Sequence, residues 1–155
     1  MKAEIVNSFI ASTIEAFRTL AGIEPRRGDA RLKRRDEMSY DVSGVVGISG
    51  QIKGSINLSF RKSAALRVVE GFLGERIGRV DDQVVDAVGE LANIVAGGAK
   101  RVLSEAGYDL KISIPTVIVG EHHMISRPKD VPCLEVPFDL DAGPFAVELC
   151  LASAL

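Results

Sequence analysis

Tryptophan is absent from this sequence and aromatic residues make up only 5% of it, so aliphatic side chains must supply the core. Charge of either sign is not in surplus. Nineteen Lys and Arg against 21 Asp and Glu leave a net charge of -2, which exerts no global pull on nucleic acid or an anionic membrane. Long apolar runs are missing too. No stretch approaches the roughly 20 apolar residues of a membrane span. The N-terminal segment is interrupted by Glu4, Asn7, Ser8 and Glu15, unlike the apolar region of a secretory signal. Two cysteines, Cys133 and Cys150, are too few for a disulfide framework and are expected to be free thiols in a reducing compartment, neighbours across a hairpin. No Ser-His-Asp or Cys-His constellation is visible, and no glycine-rich phosphate loop precedes a helix. These absences predict a cytoplasmic chain of 155 residues folded as one domain, residues 1–155.

What is present is an alternation of helical and strand-like periods. Val6, Ile10, Thr13, Phe17 and Leu20 recur at three- and four-residue steps, which predicts an amphipathic helix from about Ala3 to Ala21, stopped by Gly22. Residues 26–40 are polar and basic and fit an edge strand. Val42–Ile48 and Ile52–Phe60 read as strands joined by a turn at Ser49-Gly50, the second with Lys53, Ser55, Asn57 and Ser59 on a more polar face. A helix from about Ser63 to Leu73, with Ser63 as its N-cap, ends at Gly74. A longer helix starts near Asp81-Asp82 and runs to Ala106. Three strands follow, near Lys111–Val119, Cys133–Leu140 and Phe145–Ala152. The order is an α+β pattern: two helix-plus-antiparallel-strands units in pseudo-repeat, with an extra helix between them.

The long helix is the informative element. At about 100° per residue, Val84, Val88, Leu91, Val95, Ala99, Val102 and Ala106 form one apolar stripe. Asp86, Glu90, Asn93 and Gly97 fall within an arc of about 60° on the other side. Glu90 and Asn93 are an i, i+3 pair whose Cβ atoms lie roughly 5–6 Å apart, so both can enter one narrow pocket. A glycine inside a helix costs about 1 kcal/mol relative to alanine. Close approach by another backbone accounts for such a cost: at Gly97 by a partner, at Gly98 by a neighbouring helix of the same domain. Glu and Asn on a helix face are also commonly just solvated, and paired glycines commonly serve internal packing. Periodicity leaves both readings open.

The pattern Asp86-x3-Glu90-x2-Asn93-x3-Gly97 resembles the signature of the CheC/CheX/FliY phosphatases, whose catalytic helix carries a Glu-x2-Asn pair. The hairpin Val46–Phe60, the run Ile114-Pro-Thr-Val-Ile118 and the closing strands resemble the CheX branch, so the likeness covers essentially the whole chain. It implies an enzyme that hydrolyses the aspartyl phosphate of a CheY-like response regulator in chemotaxis signalling. The magnesium ion and a lysine would come from the regulator, and this chain would bind no cofactor itself. It implies Asn93 as the residue that orients the hydrolytic water and Glu90 as the partner of that lysine, with Asp86 and Gly97 at the docking face. It further implies a homodimer, with strand pairing at a sheet edge as the candidate seam. The alternative is a non-catalytic module of the same fold that docks on a response regulator or in a flagellar switch; the intact Glu90/Asn93 pair favours the enzyme.

Other candidates are weaker. Glu4-x2-Asn7 repeats the pair in the first helix but has no upstream acid and has Ala11 in place of a glycine, which favours a structural role for Asn7. Arg26, Arg27, Arg31, Lys33, Arg34 and Arg35 lack interleaved aromatics and are expected to be a solvated edge rather than a nucleic-acid site. His122 and His123 are expected to point apart and not to bind metal.

Overall fold

Eight strands, every pair antiparallel, form one sheet in the computed structural model, which describes residues 1–153. The elements in chain order are α1 (Ala3–Ala16, continued by a π-helical turn over Phe17–Ala21), β1 (Arg26–Arg27), β2 (Arg31–Leu32), β3 (Val42–Gly50), β4 (Ile52–Phe60), α2 (Lys62–Leu73), α3 (Asp82–Glu105), β5 (Leu110–Ile112), β6 (Thr116–Val119), β7 (Cys133–Leu140) and β8 (Gly143–Ser153). The sheet order is β1-β7-β8-β4-β3-β5, with β2 beside β1 on β7 and β6 beside β5 on β3. The hairpins β3–β4 and β7–β8 meet through their second strands, β4 against β8. That junction is the pseudo-repeat expected from the order of elements, with α2 as the extra helix.

Strand alternation sorts the sheet into two unlike faces. Val42, Val46 and Ile48 of β3, Ile56, Leu58 and Phe60 of β4, Val136 and Phe138 of β7, and Phe145, Val147 and Leu149 of β8 are buried under the helices. Phe17, Phe60, Phe138 and Phe145 stack there, with ring centroids of successive neighbours 4.7 to 5.3 Å apart. A helix needs close access to the sheet, and Gly44 provides it: a Cβ there would lie 2.9 Å from that of Ala92 in α3. The opposite face carries Ser43, Asn57, Ser59, Glu148 and the two cysteines. It is covered, not solvated. Lys33 and Ser39 hydrogen-bond Glu148, His123 bonds Ser43, and Asn57 donates to Glu148.

Several local expectations are corrected. The single strand expected over Lys111–Val119 is two, because the segment Ser113-Ile-Pro115 interrupts the ladder, Pro115 having no N–H to give. β5 pairs with one end of β3 and β6 with the other. β3 runs through Ser49-Gly50 to pair with β5, so the bend into β4 falls at Gly50-Gln51, where Gly50 has φ +106°. Ser63 does not cap α2. The Asp41 carboxylate does, accepting from the Lys62 N–H at 2.8 Å across the sheet end. In α3 the buried stripe leaves Val102, which is 47% exposed, and passes to Leu103; Ala106 is likewise exposed. The Tyr108 amide turns back onto the Leu103 carbonyl, so the chain covers that side of the helix end.

Candidate functional site

Helix α3 is fixed at its start by Asp81, whose carboxylate accepts the Val84 N–H at 3.1 Å, as an N-cap aspartate does. Val84, Val88, Leu91, Val95 and Ala99 are buried on the sheet side. The helix is thereby anchored over its length, and the residues turned away from the sheet are held on a rigid rod. Asp86 and Glu90 are exposed, and Asn93 and Gly97 are partly so. Among the described residues, no side-chain hydrogen bond or ion pair occupies Asp86, Glu90 or Asn93, whereas Gln83 one turn earlier holds Glu75 and Asp81 holds Val84. A carboxylate and a carboxamide therefore stand together on one face with their bonding capacity unused by the described residues.

The adjacent glycines have different surroundings. A Cβ on Gly98 would sit 2.4 Å from the Ser12 Oγ of α1, and that hydroxyl donates to the Val95 carbonyl at 2.7 Å. Gly98 thus lets α1 cross α3 closely, as its position on the helix predicts. A Cβ on Gly97 would meet nothing within 4 Å. Gly97 instead floors an open groove of about 520 Å³ between the two helices, with Ser12 and Glu15 on the α1 side and Ile94, Arg101 and Val102 on the α3 side. The α1 wall was not legible in the sequence, since only the tertiary fold brings Ser12 and Glu15 beside Gly97.

The secondary candidates resolve as follows. Glu4 is engaged internally, accepting from the Tyr108 hydroxyl at 2.5 Å, and this bond raises the phenol's pKa above its ordinary value. Asn7 is exposed. The basic cluster is largely neutralised: Arg26 pairs with Asp141, Arg31 with Glu37 and Glu135, and Arg34 with Asp36. Lys33 departs from the expected solvated edge. It is 6% exposed because Glu148, itself 2% exposed, supplies a buried counter-charge. His123 is held between the Ser43 hydroxyl and the Gly120 carbonyl, and His122 adopts a left-handed φ of 47° at the surface. No cluster of three metal-ligating side chains occurs among the described residues. Cys133 and Cys150 are free, buried and directly opposed on β7 and β8.

Comparison with known proteins bears on this arrangement. Residues 42–139 match the family model described as chemotaxis phosphatase CheX. The CheY-P phosphatase CheX of Thermotoga maritima is 36% identical over 121 residues, 77% of this chain and 78% of that protein. The crystal structure of the chemotaxis protein CheX from Vibrio vulnificus superposes with a TM-score of 0.90 at 36% identity, covering 97% of this chain and all of that one. The CheX–CheY–BeF3–Mg complex from Borrelia burgdorferi superposes with a TM-score of 0.80 at 28% identity, covering 96% and 97% of the two chains.

Proposed function

The chain belongs to the family of CheX chemotaxis phosphatases, and from that premise we propose how α3 hydrolyses the aspartyl phosphate of a CheY-like response regulator. The observation that carries the proposal is the unengaged pair: Glu90 and Asn93, one turn apart on a buttressed helix, with no side-chain hydrogen bond among the described residues. Phosphoryl transfer leaves little covalent work to a protein, so positioning and electrostatics supply most of the acceleration. A carboxamide both donates and accepts hydrogen bonds without ionising. Asn93 holds a water in line with the scissile P–O bond. Glu90 is repelled by the phosphoryl oxygens and pairs instead with the regulator's lysine, which sets how far the helix inserts. Asp86 and Gly97 flank the pair at the docking face, the bare Gly97 backbone admitting the regulator's surface.

The magnesium ion of the reaction belongs to the regulator in this reading; magnesium is present in the complex of the Borrelia relative with CheY. No helix among the described residues is long and apolar enough to cross a membrane, and we place the reaction in the cytoplasm with its soluble partner. A homodimer forms through the β6 side of the sheet. The other edge is blunted by Arg26, Arg27 and Arg31, whereas the β6 side presents Ile114 at 86% exposure and Val119 at 54%. An open edge with apolar side chains invites strand pairing.

The test is phosphate release from a phosphorylated CheY-like protein with and without this chain. Wild-type protein accelerates release, Asn93→Ala nearly abolishes the acceleration while retaining much of the binding, and Glu90→Ala chiefly weakens association. Dephosphorylation by Asn93→Ala at the wild-type rate rejects its assignment. Binding without acceleration by the wild-type chain makes it the docking module instead.

A further inference from the structure

On the sheet face away from α3, the β7–β8 register sets Cys133 opposite Cys150, with Sγ atoms 2.6 Å apart. Both thiols are free and both are buried. Opposed residues on antiparallel strands have Cβ atoms about 4.5–5.5 Å apart, and a disulfide spans about 3.5–4.5 Å between Cβ atoms. Closing the bond therefore asks for side-chain rotation and a slight approach of two strands that are already paired.

The two thiols are not equivalent. Cys150 lines a cavity of about 510 Å³ walled by Lys53, Ser55, Arg127 and Val131, and Cys133 does not. Its hydrogen bond with Cys133 holds the Cys150 thiol below its ordinary pKa, with Arg127 and Lys33 adding positive potential against burial and Glu148. The same bond, with burial, pushes Cys133 up. Thiolate character and access are what make a cysteine react with oxidants.

We propose that Cys133 and Cys150 form a peroxide-oxidisable dithiol, in which Cys150 meets a hydroperoxide in its cavity and Cys133 resolves the product into a reversible cross-strand disulfide. In the first step the Cys150 sulfur attacks one peroxide oxygen. The O–O bond breaks, the second oxygen leaves as hydroxide or alkoxide and takes up a proton, and Cys150 becomes a sulfenic acid. In the second step the Cys133 sulfur attacks the Cys150 sulfur, the S–O bond breaks, and hydroxide leaves with the Cys133 proton as water. The dithiol loses two electrons and the hydroperoxide gains them. A reducing dithiol reverses the bond by exchange.

Hydrogen peroxide added to the reduced full-length chain tests this, read by intact mass after iodoacetamide blocking under denaturing, non-reducing conditions. The expected product has lost two hydrogens, takes up no iodoacetamide and reverts with dithiothreitol. Its melting temperature rises by roughly 5–10 °C, because the bond closes a short loop, the cysteines being 17 positions apart. Cys133→Ser leaves a Cys150 sulfenic acid that dimedone traps, and Cys150→Ser leaves Cys133 unreacted over the same time. Peptide mapping of the wild-type product gives the same assignment should either serine variant fail to fold. Two alkylatable thiols remaining after peroxide, only disulfide-linked dimers, or oxidation of Cys150 to sulfinic acid beside a free Cys133 overturns the proposal.

Discussion

Gly97 and Gly98 are neighbours in one helix, and replacing each with alanine should give opposite results. Alanine is favoured over glycine in a helix interior by about 0.8–1.0 kcal/mol. At Gly97 the new methyl meets nothing within 4 Å, so Gly97→Ala should realise most of that gain. For a chain of this size the melting temperature should rise by about 2–4 °C. At Gly98 the methyl would lie 2.4 Å from the Ser12 Oγ. The hydroxyl must swing away and surrender its bond to the Val95 carbonyl, a loss of about 0.5–1.5 kcal/mol. Gly98→Ala should therefore be close to neutral or mildly destabilising. Activity should rank the two the other way. If the regulator's backbone closes on Gly97, a methyl there overpacks the interface by about 1 kcal/mol or more, so half-maximal phosphatase activity needs about fivefold more phosphorylated partner. Gly98→Ala should retain the wild-type dependence. Thermal denaturation and steady-state phosphate release check the two halves separately. Equal stability of the two variants would refute the packing argument, and unchanged activity in Gly97→Ala would refute the approach of the partner.

Three further outcomes are expected. Lys33→Met should destabilise by about 3–5 kcal/mol in urea unfolding, because it strands the buried Glu148 carboxylate; the pair Lys33→Met with Glu148→Gln should recover much of the loss, and a single variant of wild-type stability would remove the ion pair from the account. The Glu37 carboxyl is held down to about 2 by its hydrogen bond to Arg31, so its contribution is complete above the ordinary carboxylate range and fades as the pH falls from about 4.5 toward 2. Carboxyl NMR titration of Glu37 near 4.5 would contradict that sign. Ile114→Lys should shift sedimentation toward the monomer while leaving the far-UV circular dichroism unchanged, and an unaltered oligomeric state would exclude the β6 edge as the dimer seam.

Much of this protein was legible in its sequence where a local rule sufficed. The start of α3 at Asp81-Asp82 is one such place, where Asp81 proves to be the N-cap, because carboxylates act on a helix start within one turn. The phase of α3 placed Asp86, Glu90, Asn93 and Gly97 away from the core and Gly98 further round the helix, since helical geometry is fixed by residue number alone. The cap of α2 was misassigned to Ser63 because its acceptor, Asp41, lies 21 positions away. The alternation of β4 marks Asn57 and Ser59 as a more polar face, and nothing local announces that the Lys33 and His123 segments fold over it.

The sequence by itself determined that α3 turns Asp86, Glu90, Asn93 and Gly97 away from its buried stripe, through the fixed helical period. Only the tertiary structure decided what surrounds them: α1 pressed onto Gly98 but not Gly97, a groove left open beside Gly97, and a lysine buried against Glu148. Those outcomes depend on pairings between residues 83 to 115 positions apart, and such pairings follow from burying one shared core rather than from any local pattern.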